Sequence, residues 1–264
     1  MKYSFTVPAN WDKPSSKNAA RCEKFGKALF RGEGIEIPYR YFRPAITHDA
    51  EASLPLVLFL HGADTIGQDN EAHIALHDVA TMFADPVWQE AHPCFIVAPQ
   101  YHMGSYWTVP EMAEGVHHLV KDFAKFSSAI DKKRIYAYGF SAGGVGVFEQ
   151  LKLFPELYAG GVAICGASSA RKLEVLRKTP LWMLHAEDDS IVKTVYGNLD
   201  NAYAMRLGSR EIYERLKDLP GEDFRYTEYP KGYMEKEYHV HPHCSWVCFS
   251  DKQKPEVREW LFSK

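Results

Sequence analysis

From Pro55 onward the chain alternates short runs of β-branched, aromatic and aliphatic residues with stretches whose apolar positions recur every three or four residues. The runs are PLVLFL at 55–60, CFIVAP at 94–99, RIYAY at 134–138, GGVAIC at 160–165, PLWMLH at 180–185 and FRYTEY at 224–229. Each has the length and composition of a strand. Between the second and third, Met112, Val116, Leu119, Val120, Phe123 and Phe126 repeat at helical spacing, which predicts an amphipathic helix beginning near Pro110. Val145, Val147, Phe148, Leu151 and Phe154 predict another, and EVREWLF a third at the C-terminus. Alternation of this kind specifies a mostly parallel sheet joined by crossover helices on both faces. Ahead of it, IEIPYRYFRP at 35–44 is expected to form an antiparallel edge strand, because Pro38 lacks the N–H an interior strand needs. Residues 1–34 form an N-terminal extension whose structure the pattern does not predict.

With 264 residues, 46% of them hydrophobic, and no linker or shift of composition, the chain is expected to be a single α/β domain over 1–264. The formal net charge of −3 gives no footprint for a polyanion, so nucleic acid is excluded as a partner. The longest apolar stretch, LPLVLFL, is far too short to span a bilayer, and the opening MKYSFTVPANWDKPSS has no apolar signal core. A soluble, cytoplasmic protein is expected. The odd set Cys22, Cys94, Cys165, Cys244 and Cys248 suits reduced thiols rather than a disulfide framework, and no second cysteine pair accompanies Cys244 and Cys248 to make a zinc site.

One segment adds chemistry. Gly139-Phe140-Ser141-Ala142-Gly143 joins the RIYAY strand to the following helix. A serine hydroxyl is a poor nucleophile unless a sharp strand-to-helix turn thrusts it toward a base, and glycines two residues to either side relieve the crowding of such a turn. The base needs an orienting acid, and the developing oxyanion needs backbone donors. Asp189, in the loop EDDSIV after PLWMLH, is the expected acid. His239, His241 and His243 are the candidates for the base. In an extended segment these alternating histidines would share a face, so a divalent metal site competes, although Pro242 interrupts such a strand. The N–H groups of Ala142 and of Ala63, after His61-Gly62, are the expected oxyanion donors. His61 is expected to support that loop.

Taken together, PLVLFLHGAD with Gly67, Asp69 and Asn70, VAPQ with Trp107, KKRIYAYGFSAGG, AICG, PLWMLHAEDDSIV, FRYTEYP and HCSW resemble the α/β-hydrolase superfamily. The similarity is to bacterial esterases of the phospholipase/carboxylesterase and polyhydroxybutyrate-depolymerase-like type, also labelled prolyl-oligopeptidase-like, and it covers about residues 35 to 264. It implies an α/β-hydrolase fold with Ser141 as nucleophile, Asp189 as acid and His243, three residues before Trp246, as base. Ala63 and Ala142 fall at the oxyanion positions. The sequence departs from the family at Ala142, where many relatives have methionine, and at 194–208 and 231–242, which are longer than in relatives and are expected to be lid-like insertions near the site. The resemblance further implies a serine carboxylesterase for small or aryl esters of short-chain acyl, acetyl or feruloyl type, without metal or organic cofactor. Tyr101, Trp107, Phe140 and Trp246 are the expected substrate-binding aromatics. A serine peptidase acting on small peptides, and a non-catalytic binding protein of the same fold, are the alternatives. The sequence does not indicate an oligomeric state.

Overall fold

The structure is a computed structural model that describes residues 8–32, 34–45 and 53–264. Its centre is an eight-stranded sheet, β1 Gly26–Gly32, β2 Ile35–Phe42, β3 Leu54–Leu60, β4 Phe95–Pro99, β5 Ile130–Phe140, β6 Gly160–Ile164, β7 Leu181–Ala186 and β8 Phe224–Tyr229. The spatial order is β1-β2-β4-β3-β5-β6-β7-β8. β2 runs antiparallel to both neighbours, and every other pairing beyond β1 is parallel. All six runs expected from Pro55 onward are strands.

Period-two alternation divides the core between the two faces of this sheet. On β3, Leu56, Leu58 and Leu60 enter one cluster while Val57 and Phe59 enter the other. β5 does the same with Ile135 and Ala137 against Tyr136, Tyr138 and Phe140. The first face is covered by Met112, Val116, Leu119 and Val120 of one helix (Pro110–Phe123) and Val147, Phe148 and Leu151 of another (Ala142–Leu153). Val79, Phe83, Phe249, Trp260 and Leu261 cover the second. The result is three layers, helix on sheet on helix. Burial of β3 on both faces explains why its sequence is a continuous apolar run instead of an alternating one.

The segment at 35–44 departs from expectation in one respect. It is antiparallel, but β1 takes the edge and β2 lies inside it. Pro38 is tolerated there because its carbonyl accepts from the Gln100 N–H, just past the end of β4, so its missing N–H falls where that ladder terminates. The N-terminal extension is partly ordered into a helix, Ser16–Cys22, and β1. Residues 1–7 of that extension lie outside the described residues, as does Glu33.

Both long segments flank the carboxyl ends of the strands. In 194–208, Leu207–Gly208 pairs with Ala167–Ser168, and Glu211 accepts from the N–H groups of Tyr196, Asn198 and Gly208 at 2.9, 2.6 and 2.9 Å. One carboxylate thus pins the base of the loop, whereas Tyr203 and Met205 project outward, 90% and 85% exposed. The segment at 231–242 contains the helix Tyr233–Tyr238, anchored by buried Met234 and by the Gly232 N–H donating to Asp188 at 2.8 Å. Among the described residues no helix is long and apolar enough to cross a membrane.

Candidate active site

Ser141 stands between β5 and the helix Ala142–Leu153 with φ 54° and ψ −119°. A non-glycine residue held there stores roughly 1–3 kcal/mol of strain, so the surroundings must fix it. They do so by backbone contact. A Cβ on Gly143 would lie 1.8 Å from the Leu60 carbonyl oxygen, and one on Gly139 would lie 2.6 Å from that of Gly143. The Ser141 N–H donates to the Ile164 carbonyl at 2.9 Å and to Cys165 Sγ at 3.2 Å. With the turn so held, Ser141 Oγ lies 2.8 Å from His243 Nε2.

Asp189 continues the chain of contacts. Its Oδ1 accepts from the N–H groups of Ile191 and Val192 at 2.9 and 3.0 Å, and its Oδ2 faces His243 Nδ1 at 2.6 Å and His185 Nε2 at 3.1 Å. Because a carboxylate only accepts, His243 Nδ1 carries the proton and Nε2 is left to accept from the serine hydroxyl. His185 Nε2 is likewise a donor, since Val192 O is its other neighbour at 2.8 Å, and Nδ1 meets Ser209 Oγ at 2.8 Å. Burial alone would raise the Asp189 carboxyl, but the hydrogen bonds from His185 and His243 outweigh it and hold the group well below the usual carboxylate range. The carboxylate is therefore ionised and fixed on all sides.

Ala63 opens a single 3-10 turn, Ala63–Thr65, after β3, and Ala142 is the first residue past the serine. Both line, with Ser141 and His243, a pocket of about 200 Å³. His61 supports this loop as expected: its ring stacks on Tyr101 at 4.8 Å, accepts from the Tyr101 N–H at 3.3 Å and donates through Nδ1 to the Gly62 carbonyl at 2.7 Å. Burial lowers its pKa to about 4, so it is neutral.

A second polar cluster lies beside the first. His77 Nε2 is 2.7 Å from Asp64 Oδ2 and its Nδ1 is 3.2 Å from Asp12 Oδ2. Trp11 Nε1 donates to Asp64 at 3.1 Å, and Trp246 Nε1 donates to Asp12 at 2.8 Å. Burial opposes a charge on His77, but the hydrogen bonds to the two carboxylates prevail and raise its pKa to about 9. The Trp11 ring lies 5.6 Å from that of His243 and forms one wall of the pocket. None of Trp11, Asp12, Asp64 and His77 is marked out by the sequence as a site residue. A tryptophan-aspartate pair within a polar N-terminal stretch is the one local signal they offer.

The four expected aromatics stand behind the pocket, not around it. Tyr101, Trp107, Phe140 and Trp246 are all fully or almost fully buried. Trp107 donates to the His61 carbonyl at 3.1 Å, and Phe140 packs on Trp246 at 4.4 Å. Phe140 shows why the expectation fails: it precedes Ser141 on a strand, so its side chain points to the opposite face. The walls are instead formed by Trp11, Tyr106, Val145, Ile191, Val192 and Arg206. The three histidines near the C-terminus also do not share a face. His239 ends the helix Tyr233–Tyr238 in a left-handed conformation, and His241 Nδ1 accepts from the His243 N–H at 3.1 Å. Cys165, Asp189 and His243 place one donor atom each within 4.8 Å of the others. Burial pushes the Cys165 thiol well above its usual range, so it stays protonated, and the other two groups are already committed to each other. All five cysteines are free.

Known proteins share this fold. A family model described as Phospholipase/Carboxylesterase matches residues 102–222. A thermostable esterase of known structure is 35% identical, with a TM-score of 0.81 over 92% of this chain and 64% of that one. The Pyrococcus horikoshii acylaminoacyl peptidase is 16% identical, with a TM-score of 0.62 over 94% of this chain and 43% of its own. An arylesterase is 13% identical, with a TM-score of 0.60 over 93% of this chain and 88% of its own. The latter two likenesses concern the fold. This chain thus spans 64% of the length of the thermostable esterase. Among curated proteins none matches it significantly.

Proposed function

Because this chain belongs to the α/β-hydrolase superfamily, we propose that it is a serine carboxylesterase acting on small esters through Ser141, His243 and Asp189. One observation carries the reading: an unbroken hydrogen-bonded line, Ser141 Oγ to His243 Nε2 at 2.8 Å and His243 Nδ1 to Asp189 Oδ2 at 2.6 Å. His243 Nε2 takes the hydroxyl proton as Ser141 Oγ bonds to the ester carbonyl carbon. The carbonyl electron pair moves onto oxygen, where the N–H groups of Ala63 and Ala142 receive the negative charge. Collapse of this intermediate expels the alcohol, which takes the proton from His243 and leaves an acyl-serine. Water then enters and bonds to the acyl carbon as the same nitrogen takes its proton; collapse breaks the bond to Ser141 Oγ, which takes that proton back from His243 as the acid leaves.

The pocket of about 200 Å³ at Ser141 favours a short acyl or compact aryl group on the side nearest the nucleophile. The described chain acts as one hydrolase unit, with 194–208 and 231–242 as insertions beside the site, and its free thiols suit a reducing, cytoplasmic compartment. The fold similarity to an acylaminoacyl peptidase keeps amide cleavage as a second reading. Hydrolysis of 4-nitrophenyl acetate, butyrate and feruloyl esters is expected, with turnover of an aminoacyl 4-nitroanilide slower by orders of magnitude. Amide turnover exceeding ester turnover would reverse the order. Fluorophosphonate should label Ser141, and a folded protein that takes up none would refute hydrolysis altogether.

A further inference from the structure

The pocket at Ser141 shares Tyr106, Val145 and Arg206 with an adjoining groove of about 830 Å³, whose walls carry Arg171 and Lys172 and whose rim is the outward-facing tip of the 194–208 segment. Several arginines elsewhere face a carboxylate, as Arg210 does Glu228 and Arg225 does Asp223. Arg206, Arg171 and Lys172 face none among the described residues. Arg206 lies over the ring of Tyr196 at 5.0 Å. The acid that shares the groove, Glu149, is held by Lys152 at 3.0 Å. Three cations without a carboxylate ion-pair partner among the described residues thus line the groove beside Ser141, with Arg171 and Lys172 also bordering a smaller hollow that holds Glu114 and Glu149.

We propose that this groove is a subsite for a carboxylate carried by the ester, bound by Arg206 where the groove meets the Ser141 pocket, with Arg171 and Lys172 drawing the anion inward. The proposal rests on the esterase reading and names its substrate class. A guanidinium suits the role because its planar N–H groups match a carboxylate in pairs and because it is less strongly hydrated than an ammonium. Thr108, Ser168 and Ser169 add hydroxyls to a lining that otherwise carries apolar groups such as Val145, Ala170 and Met205.

The test uses two matched pairs of esters. In one the acyl chain ends in methyl or carboxylate, 4-nitrophenyl pentanoate against 4-nitrophenyl hemiglutarate. In the other the leaving group is neutral or anionic, 4-acetoxybenzamide against 4-acetoxybenzoate. The wild-type protein should prefer the anionic member of at least one pair by about tenfold in kcat/KM, chiefly through KM. Arg206→Gln should lower kcat/KM for that anionic ester about tenfold more than for its neutral partner. The preference should shrink as salt is raised from 0.01 to 0.5 M, since these cations are exposed and screened. Preference for the neutral member in both pairs, or an equal loss on both members in Arg206→Gln, overturns the subsite. If no ester is turned over at all, the esterase reading fails instead. Calorimetric binding of the amide N-(4-nitrophenyl)glutaramic acid then decides the groove by itself: affinity lowered by Arg206→Gln upholds it, and no binding removes it.

Discussion

Two histidine-carboxylate clusters flank the Ser141 pocket, and they invert each other. Around Asp189, one carboxylate receives two imidazoles, those of His185 and His243. Around His77, one imidazole is shared by two carboxylates, Asp12 and Asp64. In the first cluster His243 keeps a ring nitrogen for the serine, so its charge would change in the proposed reaction. In the second both nitrogens face carboxylates, and the ring is held as a cation up to about pH 9. The difference would separate a group that moves protons from one that fixes an electrostatic background. Asp64 directly follows Ala63, and a bare carboxylate there would oppose the negative charge developing at the Ala63 N–H. His77 offsets it.

The comparison can be broken most severely at the proton-moving cluster. Ser141→Ala and His243→Asn should each lower kcat by about a millionfold while leaving the thermal transition within a few degrees, as steady-state kinetics and melting would register. Asp189→Asn should cost about ten-thousandfold, because the amide no longer selects the His243 tautomer that leaves Nε2 to accept. Activity within tenfold of wild type in any of these would dismantle the proposed triad.

The fixed-charge cluster should behave otherwise. His77→Gln leaves two partly buried carboxylates without their cation, and a loss of about 3 kcal/mol in urea unfolding is expected, with kcat falling by about tenfold at near-constant KM. Asp64→Asn added to that variant should restore part of both, and a further loss would show that charge balance is not what His77 supplies. Its elevated pKa also gives stability a pH signature. The stabilisation from His77 is fully present below about 6.5 and fades as pH rises through about 9, whereas that from the depressed carboxyl of Asp189 is present above the ordinary carboxylate range and fades only in acid. Urea midpoints measured from pH 7 to 10 should therefore fall in wild type and hold level in His77→Gln. The smallest effect should come from Trp11→Ala, which opens the pocket wall beside His243: KM should rise by about threefold to tenfold with kcat little changed.

How much of this could be read in advance divides along the same line. The strands, the two long helices and the turn at Ser141 follow from periodicities within a dozen residues; Ser141 and Asp189 each sit in a short motif just past a strand, and His243 in one that follows the helix Tyr233–Tyr238. Trp11, Asp12 and His77 carry no such local mark. Their contacts join residues 13 to 234 positions apart, from His77 and Asp64 to Asp12 and Trp246. The misplaced aromatics fail for a related reason: nearness in sequence to a site residue does not say which face of the sheet a side chain takes. Pro38 misleads in the other direction, since it marks the end of a ladder and not the edge of the sheet.

The glycine-to-carbonyl approach that fixes Ser141 has a consequence for how this protein can be changed. Gly139, Gly143 and Leu60 hold the turn through main-chain atoms alone, and none of them borders the cavity. Tyr106, Val192 and Arg206, which do border it, are not among the groups that hold the turn. Specificity can accordingly be redrawn by exchanging the latter set while the reactive oxygen stays in register, a division of labour that lets one scaffold sample new substrates without re-evolving its chemistry.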